Sequence, residues 1–462
     1  MMLYFTISIA IIVITAIALY RKLNPQGILI TAGLAMCIIS LFALGNSIEL
    51  KHPTGNAGFD IIKLIDETFV NNISRAGLMI MTIGGYVAFM NHIEATQTLV
   101  RLSMKPLSFM RRFPMLAAVL TIPIGQMLFI TTPSATGLGL LLVASIYPIL
   151  TSLGVSRLTA LSMIAATTLF DQGPGSANTA LAAQLIGINN VEYFITHQLP
   201  LVIPTTIIVM ITFCISNWYF DKYSPQDNGE NVNVEAFSTT APAFYALFPI
   251  LPLILLVVFS PYVGLISPPI KLDTTTAMFA SLFTTMLIHL LRIRHIKKVY
   301  ESISAFWKGM GNVFGKVVTL IVASEIFSKG LIQLHFIDSL IQLSTGAGFS
   351  ELTIVIVFSL IIFGAAVLMG SGNAAFFSFG PLMPGIATQL GIPSYIMILP
   401  SQLASSMGRS ASPIAGVIVA IAGVAGASPI ELSKRNLVPL TLSVIFLITY
   451  HITVSYTHLT LP

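Results

Sequence analysis

Apolar stretches long enough to cross a bilayer recur throughout this chain. A helix spanning the ~30 Å hydrocarbon core needs about 20 mostly apolar residues. Such runs occur near 3–20, 27–45, 77–95, 199–219, 243–260, 274–291, 317–335 and 438–453. Run 352–369 is equally apolar but leads into a polar cluster, so it reads as one arm of a hairpin. In lipid every backbone polar group must be satisfied within the protein, which restricts spanning structures to helices and closed barrels. Uninterrupted runs of this length select helices. The expected fold class is all-α, a polytopic membrane protein.

The charges agree. Only 8% of the 462 residues are charged, about a third of the roughly 25% usual in soluble domains. With a mean hydropathy of +0.90, this excludes an ordinary soluble enzyme, a disordered chain and a nucleic-acid binder. Met1 to Tyr20 has no basic segment ahead of its apolar run, so it reads as a retained first helix rather than a cleaved signal. Cys37 and Cys214 both lie in apolar runs and form no C-x-x-C pair. No metal or cofactor is expected beyond a sodium ion or proton as coupling ion. The stretch 454–462, V-S-Y-T-H-L-T-L-P, looks like translated sequencing-adapter DNA and is expected to be non-native.

Basic residues set the expected orientation. Arg101, Lys105, Arg111 and Arg112 lie in connection 96–113, and six basic residues lie in 292–316 against the single acid Glu301. Both connections belong on the cytoplasmic side, as does 426–437 with Lys434 and Arg435, whereas 46–76 belongs outside. The polar stretch 220–242 is the one real linker and divides the chain into repeats 1–219 and 243–453.

The two halves carry matching interruptions. Thr132-Pro133-Ser134-Ala135-Thr136-Gly137 and Gly173-Pro174-Gly175-Ser176-Ala177-Asn178-Thr179 break apolar runs in the first half. Met369-Gly370-Ser371-Gly372-Asn373 and Met407-Gly408-Arg409-Ser410-Ala411-Ser412-Pro413 do so in the second. Thr136 to Asn373 is 237 residues and Ser176 to Ser412 is 236. The first interrupted run starts on the basic side and its partner on the opposite side, so the repeats are inverted. Inverted repeats with broken helices are the architecture expected of a secondary transporter.

Irregular backbone at membrane depth is tolerated only where it is buried in protein or lines a watery cavity. Each break leaves a half-helix N-terminus with free N–H groups and partial positive charge, suited to a carboxylate. Ser134, Thr136, Ser176, Asn178, Thr179, Ser371, Asn373, Ser410 and Ser412 add short polar side chains. Arg409 is the one basic residue in the four clusters, and its planar fork matches a carboxylate; pairing with a protein acid is the competing role. Asp171 could serve a coupling cation or proton, or cap the half-helix that follows. Glu325 and Lys329 form an i,i+4 pair, mainly structural, with a proton-linked role as the minority reading.

At the C-terminal motif a family resemblance enters. G-R-S-A-S-P-I-A-G-V-I-V-A-I-A-G-V-A-G-A-S-P-I-E-L-S-K-R-N-L-V-P, from Gly408 to Pro439, resembles the DcuC family of anaerobic four-carbon dicarboxylate transporters. So do Thr239 to Ala246, Ser134 to Gly139 and Gly370 to Ala374. The resemblance implies a multi-pass carrier in the bacterial cytoplasmic membrane, not an enzyme, moving succinate, fumarate or malate by efflux, exchange or cation-coupled uptake. It also implies a re-entrant hairpin and a broken helix in each repeat, holding substrate between a scaffold and a moving unit, and fits a homodimer. Ser134 and Thr136 would then lie at the first hairpin tip, and Ser371 and Asn373 at the second. Ser176, Asn178 and Thr179 would come from one broken helix, and Arg409, Ser410 and Ser412 from the other. A carrier of another small organic anion, an amino acid or short monocarboxylate, is the alternative. A hydrolase is disfavoured because no Ser–His or paired-Asp pattern lies in the spans. A channel would need no inverted pair of broken helices.

Overall fold

Helix satisfies the backbone of these apolar runs, and no strand occurs among the described residues. A computed structural model describes the chain except residues 1, 22, 47, 49, 111, 224–238, 260–269, 271, 347 and 461–462. The first half contains α1 (Met2–Tyr20), α2 (Pro25–Leu44), α3 (Ala57–Asn72), α4 (Leu78–His92), α5 (Ala95–Met104) and α6 (Pro114–Thr131). It continues with α7 (Ala135–Ser145), α8 (Tyr147–Ser152), α9 (Arg157–Ala166), α10 (Ala177–Ile186), α11 (Asn190–Tyr193) and α12 (Leu199–Tyr223). In the second are α13 (Leu251–Val258), α14 (Thr274–Ile293), α15 (Ile296–Val313), α16 (Thr319–Gln333), α17 (Phe336–Gly346) and α18 (Glu351–Met369). The last elements are α19 (Gly372–Phe379), α20 (Met383–Leu390), α21 (Ser394–Ser410), α22 (Gly416–Val424) and α23 (Pro429–Thr460). Eight helical stretches among the described residues are long and apolar enough to cross a membrane.

The inversion of the repeats is visible in how one pair of long helices meets. A π-turn, Ile73–Gly77, joins α3 to α4, and another, Phe314–Val318, joins α15 to α16. Helix α4 packs on α15, α3 packs on α16, and the two π-turns touch. The start of each composite helix therefore meets the end of the other, and the pair runs antiparallel. Elsewhere the same exchange holds: α7 packs against α22, and its counterpart α19 against α10. The chain is an all-α polytopic protein of two inverted repeats.

Several sequence expectations need correction. The stretch assigned to an outer loop, 46–76, is helical from Ala57 onward. Its Asp60, Lys63, Asp66 and Glu67 hid it from an apolar-run criterion. Basic connection 292–316 is mostly helix α15, which continues through its π-turn into α16. The 96–113 connection contains α5 and a 3₁₀ turn over Lys105–Phe109. Run 243–260 is no single span: Ala243–Ile250 is 3₁₀ and only Leu251–Val258 is α-helical. Pro249 and Pro252 remove backbone donors there. Asp221 belongs to the last turn of α12, so the linker begins later than 220; residues 224–238 of it lie outside the described residues. Arg435, expected in a cytoplasmic connection, is buried and ion-paired with Asp221. Helix α23 runs from Pro429 to Thr460.

Candidate functional site

Four helix breaks form the site. Helices α6 and α7 make the first hairpin and α18 and α19 the second; α9/α10 and α21/α22 are the broken helices. Each break needs something to take up its freed N–H groups. Ser134 precedes α7 in extended backbone and its hydroxyl accepts from the Gly137 N–H at 3.3 Å. Ser371 does the same for α19, accepting from the Ala374 N–H at 3.2 Å. These two caps stand 237 residues apart, the spacing of the motifs. Ser176 caps α10, accepting from Asn178 and Thr179 backbone N–H groups at 3.1 and 3.4 Å.

The fourth N-terminus differs. Helix α22 follows Ala415 and has no side-chain cap. Thr136 Oγ1 lies 3.3 Å from the position a Cβ would take on Gly416, its first residue. The first hairpin tip thus faces the uncapped end of the second broken helix. Two glycines let the breaks close on each other. Gly370 has φ +67, and a Cβ there would lie 3.0 Å from Ala415 N; Gly173 has φ +98, and a Cβ would lie 2.7 Å from Ile130 Cγ2.

Burial divides the expected site residues into two layers. Thr136 is exposed, and Ser134, Ser371 and Asn373 are half-buried, so the hairpin tips are reachable from outside. Ser176, Asn178, Thr179, Ser410 and Ser412 are fully buried beneath them. The structure therefore brings all four clusters together but gives them different access.

Arg409 crosses between the two broken helices. Its Nη1 lies 3.6 Å from Asp171 Oδ2, its Nη2 donates to the Thr168 carbonyl at 2.5 Å, and the guanidinium sits 5.9 Å from the Phe129 ring centre. The competing role, pairing with a protein acid, is thus the one present here. Asp171 itself takes φ +44, uncommon for a residue with a side chain. Its carboxylate accepts from Ser176 Oγ at 2.9 Å and Asn178 Nδ2 at 3.2 Å, and Asn178 Nδ2 also reaches Ser406 Oγ at 3.2 Å. Arg409 Nε, Ser410 Oγ and Asn178 Oδ1 are buried polar atoms without a protein partner. Buried polar atoms are ordinarily paired by protein, water or ligand.

Sequence reading missed Gln198, Tyr193 and Gln402. Gln198 Oε1 accepts from the Gly173 N–H at 3.1 Å, and its Nε2 donates to Thr179 Oγ1 at 2.9 Å and Gln402 Oε1 at 3.2 Å. Tyr193 Oη donates to Gln402 Oε1 at 2.8 Å. The available signal was a glutamine inside an apolar run, at the end of a π-turn over Phe194–Gln198.

Glu325 stands apart from these groups. It forms the expected pair with Lys329 at 3.2 Å and accepts from Asn72 Nδ2 at 2.6 Å, while Lys329 reaches Thr68 at 3.2 Å. That cluster sits where α3 meets α16, a helix that also packs against α19 of the second hairpin.

Residues 1–456 match the family described as DcuC, C4-dicarboxylate anaerobic carrier. The chain belongs to the DcuC family. Among its relatives, the anaerobic C4-dicarboxylate transporter DcuC of Escherichia coli strain K12 is 31% identical over 455 residues, covering 97% of this chain and 96% of that protein. The probable anaerobic C4-dicarboxylate transporter DcuC of Vibrio cholerae is 33% identical over 430 residues, covering 92% of each. Two solved structures share the fold. MtrF of Neisseria gonorrhoeae, described among antimetabolite efflux pumps, has 13% identity and a TM-score of 0.64, covering 95% of this chain and 96% of that one. The Alcanivorax borkumensis YdaH transporter has 14% identity and a TM-score of 0.57, covering 93% and 98%. This DcuC-family protein is a multi-pass membrane carrier, not an enzyme, of a family that carries C4-dicarboxylates.

Proposed function

We propose that the protein moves a four-carbon dicarboxylate such as succinate, fumarate or malate across the bacterial cytoplasmic membrane by alternating access. The observation that carries this reading is the convergence of two hairpin tips on two broken helices, with Thr136 beside the uncapped N-terminus of α22. Half-helix N-termini each supply about half a positive charge. Several together complement a dianion without a full desolvated cation for every carboxylate. Thr136 and Asn373 contact the substrate from the accessible side, and Arg409, Ser410 and Asn178 support it from beneath. The hairpins and broken helices travel together against a scaffold that includes the antiparallel pair α3/α4 and α15/α16. Asp171 is the coupling group: a proton or sodium ion on its carboxylate loosens its hold on Arg409 and frees the guanidinium for the substrate. Glu325 serves the scaffold, and a homodimer would form through that scaffold.

Purified protein in proteoliposomes, loaded with unlabelled succinate, should accumulate external labelled succinate by counterflow. Imposing proton and sodium gradients separately should accelerate net uptake with one of them, and Asp171→Asn should remove that acceleration. Saturable counterflow of a monocarboxylate or amino acid, with none of succinate, would replace the dicarboxylate reading by the other small-anion one.

A further inference from the structure

The carbonyl end of a broken helix is as exposed as its N–H end, because the last carbonyls of α21 have no partner within the helix. Here the Gly408 and Arg409 carbonyls are taken by the backbone turn that follows, and the next two are held from outside. Asn436 Nδ2 donates to the Ser410 carbonyl at 3.1 Å, and the Ser433 hydroxyl donates to the Ala411 carbonyl. Both donors sit in the first turns of α23, and both are buried. Asn436 is itself fixed, since its Oδ1 accepts from Ser162 Oγ at 2.7 Å, and Ser162 accepts from Asn217 Nδ2 at 3.0 Å.

Between Ser433 and Asn436 lies Arg435, which fastens the same turn to two other helices. Its guanidinium meets Asp221 of α12 at 2.6 Å and Thr159 of α9 at 2.7 Å. Thr159 and Ser156 also donate to that carboxylate, at 2.7 and 2.8 Å. The pair is buried on the arginine side and satisfied by hydroxyls on the acid, the condition under which a buried ion pair holds geometry. One short stretch of α23 therefore grips the break that carries Arg409.

In the first repeat a single residue fastens the N–H side of the break instead. Gln198, ahead of α12, holds the first break through Gly173 N and Thr179 Oγ1. Asn436 follows Gln198 by 238 residues, within two of the 236- and 237-residue spacings of the motifs. The turn entering α12 and the first turns of α23 thus each fasten the broken helix of their own repeat.

We propose that Ser433, Arg435 and Asn436 are positioning residues for the substrate site, holding the carbonyl end of the second break so that Arg409 and the α22 N-terminus face the carboxylate. This rests on the dicarboxylate reading above. None of the three need touch substrate. Their effect passes through Ser410 and Ala411 to the neighbouring Arg409 and to Gly416 a few residues on.

Asn436→Leu keeps the number and branching of side-chain heavy atoms and deletes the hydrogen bonds to Ser410 and Ser162. In proteoliposomes it should raise the KM for labelled succinate about tenfold, the loss of one buried hydrogen bond, with Vmax within about twofold of the parent. Ser433→Ala should move KM the same way by less. Hydrogen exchange across 408–416, measured without substrate in detergent, should quicken about tenfold in Asn436→Leu for the same reason. A folded Asn436→Leu protein with unchanged KM, or with unchanged exchange over 408–416, would overturn the positioning role. Parent protein that shows no succinate counterflow overturns the functional reading instead; the exchange measurement then still decides whether α23 orders the break.

Discussion

Tryptophan in place of Thr136 or Asn373 abolishes transport while the protein still reaches the membrane. Thr136 is exposed and Asn373 half-buried, so an added indole disturbs less packed core than it would at the fully buried Ser176 or Asn178. The cost to folding is correspondingly small, on the order of 0.5 kcal/mol for such accessible positions. The cost to function is large, because Thr136 Oγ1 lies 3.3 Å from where a Cβ of Gly416 would stand. An indole there occupies the approach to the uncapped α22 N-terminus. Succinate counterflow should fall at least about 100-fold in either variant, as expected when the binding geometry is blocked rather than weakened. Transport with parent kinetics in both would make the clusters packing features of small residues, which membrane helices also use.

Arg409→Ala removes the cation shared by two broken helices and should lose dicarboxylate transport by more than about 100-fold. Breaking one side of a buried ion pair costs about 3–5 kcal/mol, because the remaining charge is left uncompensated. Here that charge is Asp171, buried beside the proposed anion site. The double variant Asp171→Asn with Arg409→Ala removes the stranded carboxylate, and should recover yield and thermal stability without recovering transport. Arg409→Lys keeps the charge but not the fork that reaches both Asp171 and the Thr168 carbonyl, and should transport weakly. Recovery of transport in the double variant would make Arg409 a structural partner of Asp171 and nothing more.

The parts of this fold that could be read from the chain are those in which local chemistry states its purpose. A cluster such as Gly370-Ser371-Gly372-Asn373 has no business in an apolar run unless a helix ends there, and both Gly370 and the Ser371 cap behave accordingly. The repeat was legible because two pairs of clusters kept nearly one spacing, and its inversion because the first interrupted run starts on the basic side and its partner on the opposite side. What stayed hidden was helix whose membership in the bundle depends on partners. Ala57–Asn72 carries charges that a hydropathy scan rejects, yet Asn72 and Thr68 are matched by Glu325 and Lys329 more than 250 residues away. Arg435 misled for the same reason: a basic residue between spans reads as a loop charge until Asp221 is seen to meet it. Gln198 and Gln402 offered only the faint signal of a glutamine beside apolar residues, since a buried glutamine becomes meaningful only with its partners in place.

Protection of the hairpin tips by substrate tests the central claim most directly. In a protein whose Cys37 and Cys214 have been replaced, single cysteines at Thr136 and at Asn373 should react with a membrane-impermeant thiol reagent in inside-out or right-side-out vesicles. Saturating succinate should slow both reactions about tenfold or more, as occupancy of a shared site requires, while the monovalent anion acetate should slow neither. A cysteine at exposed Phe42 on α2 should be indifferent to both anions. Labelling of the two tip cysteines at rates that succinate leaves unchanged would contradict a dicarboxylate site at the converging helix breaks.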